Sequence, residues 1–249
     1  TKVEVPSLST CMTGYQPIKF VAPADFGSDG YNLSYTDLPI IRTAEIYLNY
    51  AEAKAELGTL TKDDLLISID RIRDRAGMKG LDMAAANANP DPFLLACYPN
   101  VTKSENTGVI LEIRRERTIE LVMEGLRMWD MFRWKEGAQL VNETNPYYGI
   151  YFSGPGLYDM DGDGRNDLEL YVDKQTSSPA DGLTVLRIGS DIILSDMAEN
   201  RGYVVAWSTL KYTWNEERDY LWPIPADQRV LTGGLLTQNP GWTDSTDFD

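Results

Sequence analysis

VILEIRRERTIELVMEGLRMWDMFRWKE, residues 109–136, decides the fold of this chain. Ile110, Ile113, Arg117, Leu121 and Met128 recur at helical spacing, with the Arg117 stem able to cover apolar surface. Ile119, Val122, Leu126 and Trp129 form a second stripe. A helix apolar on two sides is expected inside a larger helical body. Ten charged residues are threaded through these stripes: Glu112, Arg114, Arg115, Glu116, Arg117, Glu120, Glu124, Arg127, Asp130 and Arg133. Some must point inward, and a buried charge needs a partner. Arginine forks and carboxylates satisfy each other bidentately. Gly125 is read as the left-handed cap of the first helix, followed by a short helix from Leu126 to Lys135 that closes near Gly137.

Within this stretch, Glu116 to Trp134 reads ER-x-x-EL-x-x-EG-x-R-x-x-D-x-x-RW, a pattern that resembles the SusD/RagB family. Three further segments resemble the same family in the same order: Pro39–Gly58, Ile69–Met78, and Tyr220–Trp242 with its PIP and QNPGW elements. The resemblance implies a glycan-binding outer-membrane lipoprotein of a nutrient-uptake system. It implies a mainly α fold of tetratricopeptide-like helical pairs, with long irregular loops and a few short strands. It also implies that residues 1–249 are one C-terminal domain, the N-terminal helical repeats, signal peptide and lipid-bearing cysteine having no counterpart in this sequence.

Composition sets limits of its own. The formal charge of −15 disfavours nucleic acid and anionic membrane surfaces. Histidine is absent, so Ser-His-Asp, Cys-His and histidine-metal chemistry have no basis here. Cys11 and Cys97 leave two readings open, one disulfide or two free thiols. No apolar run reaches the roughly 20 residues that a membrane helix requires. The family resemblance implies membrane contact only through a lipid anchor outside this chain.

Residues 1–38 read as an ordered loop region with one short strand, Ile18–Val21. Tyr15, Phe26 and Tyr31 are the candidate glycan-stacking residues there, the other reading being that they anchor a loop without a core. Pro39 is expected to open the first helix, with Ala44, Tyr47, Leu48, Ala51 and Ala55 on one face and Gly58 as the stop. Thr61 and Asp64 form an N-cap signature for a second helix running to about Arg75 and stopped by Gly77. Residues 79–106 read as loop with short helical turns. Tyr147, Tyr148, Tyr151, Phe152 and Tyr158 are either a second aromatic platform or loop packing. Leu183–Ile188 reads as strand, Asp191–Met197 as strand or helix, and Ala226–Val230 as a helical turn after Pro225.

Residues 159–169, DMDGDGRNDLE, have the spacing of a calcium loop. Asp159, Asp161 and Asp163 supply oxygens at positions one, three and five. Gly164 allows the turn at six, the Arg165 carbonyl points inward at seven, and Asp167 supplies nine. Position twelve is Leu170, so the loop departs from the helix-flanked form and has strand-like flanks, with Glu169 a doubtful ligand. The competing reading is an acidic solvated turn. A bound Ca²⁺ is expected to be structural.

Catalysis is not expected. A glycosidase needs two carboxylates at fixed separation, one with a raised pKa, and 38 acidic residues offer too many pairs to discriminate. Glu120 and Glu124 sit one turn apart, and Arg117 and Arg127 are read as the cations that hold both ionised, which makes poor general acids. The resemblance implies capture of oligosaccharide or polysaccharide at the extracellular face of the outer membrane and its delivery to a TonB-dependent transporter. A protein- or peptide-binding helical scaffold without a sugar site is the alternative.

Overall fold

A computed structural model describes residues 2–21, 37, 39–140, 148–178, 182–210 and 213–243. The chain divides into two compact units, each made of two separated segments: residues 1–38 with 142–212, and residues 39–141 with 213–249. The first carries strands and the second carries the helices, so the expected mainly α character belongs to one unit and the chain is mixed.

In the helical unit, α1 (Thr43–Glu56) is followed by α2 (Lys62–Ile67) and α3 (Ile69–Arg75). Three of its termini follow from sequence. Thr61 caps α2 with a reciprocal capping box to Asp64. Gly58 and Gly77, at φ +70 each, close α1 and α3. In each case the next amide reaches back a turn, Thr59 to Lys54 and Met78 to Arg73, the pairing of a Schellman motif. The α1 start differs from expectation. Its N-cap is Arg42, beyond the predicted Pro39, and Ile40 and Ile41 are exposed ahead of it. The second helix also breaks at Ser68, whose φ of −124 and ψ of −102 are not helical.

Residues 79–106 hold α4 (Met83–Ala88) and α5 (Pro92–Cys97), N-capped by Asp82 and Asp91. Then comes α6 (Thr107–Glu120). Gly108 lets it meet α4 backbone to backbone: a β-carbon there would sit 1.9 Å from the Ala86 carbonyl oxygen. Asn87 of α4 accepts the Val109 amide at 2.7 Å, serving an N-terminal donor that Asn106 leaves uncapped. The core gathers Leu48, Ala51 and Ala55 of α1, Leu65, Ile69 and Ile72, and Val109, Ile110, Leu111 and Ile113 of α6.

The reading of residues 109–136 is corrected in three places. α6 ends at Glu120, and Gly125 (φ +75) lies four residues past its C-cap Leu121, in a turn that also puts Met123 at φ +64. Gly125 is thus a turn glycine and not the helix cap. The following helix α7 spans Arg127–Arg133 and is closed by Lys135 at φ +54, with the Glu136 amide reaching the Met131 carbonyl at 2.8 Å. Finally, the first stripe is buried only from Ile110 to Leu121, and the second is largely open. Ile119, Val122 and Trp129 are more than half exposed, and Met128 nearly so.

The inward charges do pair. Arg117 donates from Nε to Asp130 at 2.7 Å and from Nη1 to Asn49 at 2.6 Å. Arg133 bridges Asp130 and Glu52, and the Trp134 indole donates to Glu52 at 2.6 Å. Burial alone pushes the Glu52 pKa up, but Arg133 and Trp134 outweigh it and hold the carboxyl below its ordinary value. Arg114, 3 % exposed, lies over the Trp134 ring at 4.5 Å, with Glu136 at 3.6 Å and Glu56 at 3.7 Å. The C-terminal segment adds Trp214 and Tyr220, which pack with Phe132, and α8 (Ala226–Leu231). The Tyr220 hydroxyl accepts the Gly137 amide at 3.0 Å.

In the other unit, β1 (Lys2–Val3) pairs with β2 (Tyr15–Gln16); the strand expected at Ile18–Val21 is instead turn and irregular backbone. β3 (Tyr148–Phe152), β8 (Arg201–Val205) and β7 (Leu194–Asp196) make an antiparallel sheet in the order β3-β8-β7. β4 (Gly156–Tyr158), β5 (Leu168–Tyr171) and β6 (Thr184–Arg187) make another, with β5 and β6 parallel. Ile150, Phe152, Leu168, Leu170, Ile188, Ile192, Leu194 and Val204 form its core. Cys11 and Cys97 are both free thiols.

Candidate functional site

An open groove of about 860 Å³ lies in the strand-bearing unit, a volume within the range of small-molecule sites. One wall is the loop around Pro6–Thr10, the other the end of β8 and the residues after it, Val205 to Thr209. Its polar lining is mostly hydroxyl: Ser7, Ser9, Thr10, Thr184, Ser190, Ser208 and Thr209. Asp191 is already engaged, accepting the Arg187 amide at 2.8 Å and the Ser190 hydroxyl at 3.3 Å. Trp207 is the aromatic residue of the groove, 43 % exposed. Its backbone sits at φ +52, a left-handed conformation that costs energy for a bulky side chain. Such strain gathers at sites that hold a side chain for a purpose. Flat apolar rings flanked by hydroxyls suit a ligand with C–H faces and many hydroxyls.

Of the stacking residues expected from sequence, Tyr15 lies among the described residues. Tyr15 is 43 % exposed on β2 and does not line the groove. Phe26 and Tyr31 lie outside the described residues. The second aromatic group divides: Tyr148 and Tyr151 face solvent, whereas Phe152 and Tyr158 pack edge to face at 4.8 Å in and beside the core. Tyr147 is outside the described residues. Trp207 carries no distinguishing signal in the sequence beyond being an aromatic among turn-forming residues.

The acidic loop closes the β4–β5 hairpin, the Asp167 amide reaching the Tyr158 carbonyl at 2.9 Å. Asp159 folds the loop over itself, accepting the amides of Gly162 at 2.7 Å and Gly164 at 2.8 Å, and these bonds hold its carboxyl below the ordinary range. Gly162 and Gly164 sit at φ +81 and +89. One carboxylate oxygen from each of Asp159, Asp161 and Asp167 lies within 4.8 Å of the others. Three converging hard oxygens are of the donor type that Ca²⁺ takes. Asp163 stands outside that triplet and accepts the Arg165 amide at 2.8 Å. Glu169 is no ligand. It is buried, and it accepts the Thr176 amide and hydroxyl and the Ser177 amide at 2.6–2.7 Å. Burial raises its pKa, but these bonds outweigh it and bring the value down to about 2.

In the helical unit, Glu120 and Glu124 are held by Arg42, not by Arg117 or Arg127. Arg42 donates to Glu120 at 2.8 Å and to both Glu124 oxygens at 3.0 Å, and Arg75 donates to Glu120 at 2.7 Å. Arg127 is turned to the Thr118 and Tyr98 hydroxyls, each at 3.0 Å. The Glu124 hydrogen bond leads in driving the Arg42 pKa up, as expected for a cation locked to two carboxylates. Among the described residues, no helix is long and apolar enough to cross a membrane.

Among solved structures, the crystal structure of a SusD-like protein from Bacteroides fragilis NCTC 9343 is 24 % identical, with a TM-score of 0.43. The match covers 82 % of this chain and 25 % of that one, so this chain spans about a quarter of that protein's length. No curated protein matches. The family model for SusD/RagB, described as the SusD family, matches residues 6–242. With nearly its whole length accounted for by that match, the chain belongs to the SusD family.

Proposed function

We propose that this protein is a non-catalytic glycan-binding protein of a nutrient-uptake system. It captures oligosaccharide or polysaccharide outside the cell and passes it to a TonB-dependent outer-membrane transporter. Membership of the SusD family over residues 6–242 carries this reading. It works from the extracellular face of the outer membrane, on a lipid anchor outside this chain. The hydroxyl-lined groove with Trp207 supplies a surface of the right chemistry, and Tyr15 remains a candidate contact. Phe26 and Tyr31 remain candidates from sequence. The pairing of Glu120 and Glu124 with Arg42 supports a binding role over a hydrolytic one, since a glutamate locked to an arginine is poorly placed to give up a proton to a substrate.

Ca²⁺ is proposed as a structural ion held by Asp159, Asp161 and Asp167, with Asp163 and the Arg165 carbonyl as the further ligands that the loop spacing offers. Its role is to pin a hairpin loop that has no core of its own.

The scaffold alternative has one observation in its favour: the exposed apolar stripe Ile119, Val122 and Trp129, which suits a protein partner. Affinity electrophoresis through a panel of soluble polysaccharides, with a reducing-sugar assay alongside, separates the readings. Retardation without sugar release is the expected result. Sugar release overturns the non-catalytic reading, and retardation by no polysaccharide leaves the scaffold reading in its place.

A further inference from the structure

β3 breaks the alternation of a regular strand, and the break has a chemical result. Tyr148 pairs with Val205 and Tyr151 with Tyr203, with a register shift between them. Residues three apart in a regular strand point to opposite faces. The shift turns both tyrosines to the solvent face while Gly149, Ile150 and Phe152 stay buried. Tyr203, also turned outward from β8, lies between them. Its ring is 5.8 Å from that of Tyr148 at 21°, and 5.2 Å from that of Tyr151 at 72°. Tyr148, Tyr151 and Tyr203 are 44 %, 53 % and 47 % exposed.

Cross-strand aromatic pairs stabilise sheets by themselves. Two further observations go beyond that role. None of the three phenol hydroxyls has a hydrogen-bond partner among the described residues, so three donors stand ready at the rim of the cluster. Val205, the cross-strand partner of Tyr148, also lines the groove of Trp207, so the cluster borders that hydroxyl-rich surface. The rings brace one another and are already ordered, which lowers the entropy cost of binding.

We propose that Tyr148, Tyr151 and Tyr203 form a stacking surface for an uncharged polysaccharide, extending the Trp207 groove along the outer face of the β3–β8 pair. This rests on the glycan-capture reading and adds to it the place and the class of ligand. The class follows from charge. A chain of −15 repels uronate-rich or sulfated glycans as they approach, whereas a neutral chain meets no such barrier. Stacked C–H faces and phenol hydrogen bonds require no charge on the ligand.

The test uses the 249-residue chain in affinity electrophoresis against neutral glucans, xylans and mannans and against polygalacturonate and alginate. Tyr203→Ala and the double variant Tyr148→Ala/Tyr151→Ala are compared with wild type, and Tyr203→Phe keeps the ring if the alanine variant loses its fold. Retardation by a neutral polysaccharide, weakened about tenfold by Tyr203→Ala and less by Tyr203→Phe, is the expected result. Nitration by tetranitromethane, read by peptide mass, supplies a measurement without variants: the same polysaccharide should protect the three tyrosines. Wild-type retardation that all variants retain, with no protection, overturns the tyrosine surface and leaves glycan capture standing. Retardation only by the acidic polysaccharides overturns the ligand class. Retardation by none of them overturns capture itself.

Discussion

Asp130→Ala should cost the helical unit about 3–5 kcal/mol, and the reason lies in one arginine. The Asp130 and Arg117 side chains are 4 % and 5 % exposed, and the Nε–Oδ2 bond is 2.7 Å. Removing the carboxylate leaves Arg117 charged, enclosed and bonded only through Nη1 to Asn49, a neutral amide. Arg133 also loses a contact, but its side chain is 43 % exposed and keeps Glu52, so water replaces most of what is lost. Most of the cost is thus the lost hydrogen-bonded partner of Arg117, for which Glu52 remains only a countercharge without a hydrogen bond. With a urea slope of roughly 2–3 kcal/mol/M for a chain of this size, the midpoint should fall by about 1–2 M. Tryptophan fluorescence is the probe, because Trp129, Trp134, Trp214, Trp222 and Trp242 all lie in this unit and only Trp207 in the other. The double variant Arg117→Met/Asp130→Leu removes the charge together with its partner and should lose less than Asp130→Ala alone. A loss below about 1 kcal/mol for the single variant, or a double variant worse than the single, would refute the argument from burial.

Three other outcomes are expected. Ca²⁺ should raise the Tm of the wild-type chain and leave that of Asp161→Ala unmoved; a wild-type Tm indifferent to Ca²⁺ removes the metal from the hairpin. Glu169 has a folded pKa of about 2 against an ordinary 4.5, so its contribution is complete above the ordinary value and fades as pH falls through the folded one. Thermal melts should therefore show Glu169→Gln less stable than wild type at about pH 6, with the gap narrowing towards about pH 2, and a gap independent of pH would contradict it. Among the glycines, Gly125→Ala should lose only about 1 kcal/mol, since its φ is left-handed but its β-carbon would meet open space. Gly108→Ala should lose about 3 kcal/mol or more, because the Ala86 backbone cannot retreat. Equal losses in the two urea titrations would show that the α4–α6 approach is not rigid.

The features legible in the sequence are those set by neighbours along the chain. Thr61 with Asp64, and Gly58 and Gly77 after apolar runs, announce helix ends because capping involves residues three to six apart. The loop from Asp159 to Asp167 is legible for the same reason, down to its flanking strands. Gly125 misled because a left-handed glycine after a helix is ambiguous between cap and turn, and here Met123 and Lys135 take left-handed positions that no propensity assigns to them. Distance in sequence hid the rest. Arg42 finds Glu120 and Glu124 across 78 and 82 residues, so the nearer Arg117 and Arg127 looked like the partners. Tyr203 joins Tyr148 and Tyr151 only through a shifted strand register. The outward turn of Ile119, Val122 and Trp129 is a tertiary outcome that helical periodicity does not decide.

The interleaving of the two units bears on how the chain folds as it is made. The helical unit takes residues 39–141 and then waits for 213–249, while the strand-bearing unit takes residues 1–38 and resumes at 142. The Phe132 ring is covered by Trp214 and Tyr220, roughly eighty residues later, and those residues leave the ribosome only after the strands of the other unit. During synthesis the helices can pair early, since α1 and α6 are both present, but the Phe132 side of the helical unit stays open until the other unit's strands have been made. The strands, dominated by pairings such as β3 with β8 across about fifty residues, are the slower element. The helical unit therefore keeps apolar surface open until residues 213–249 have followed the strands of the other unit.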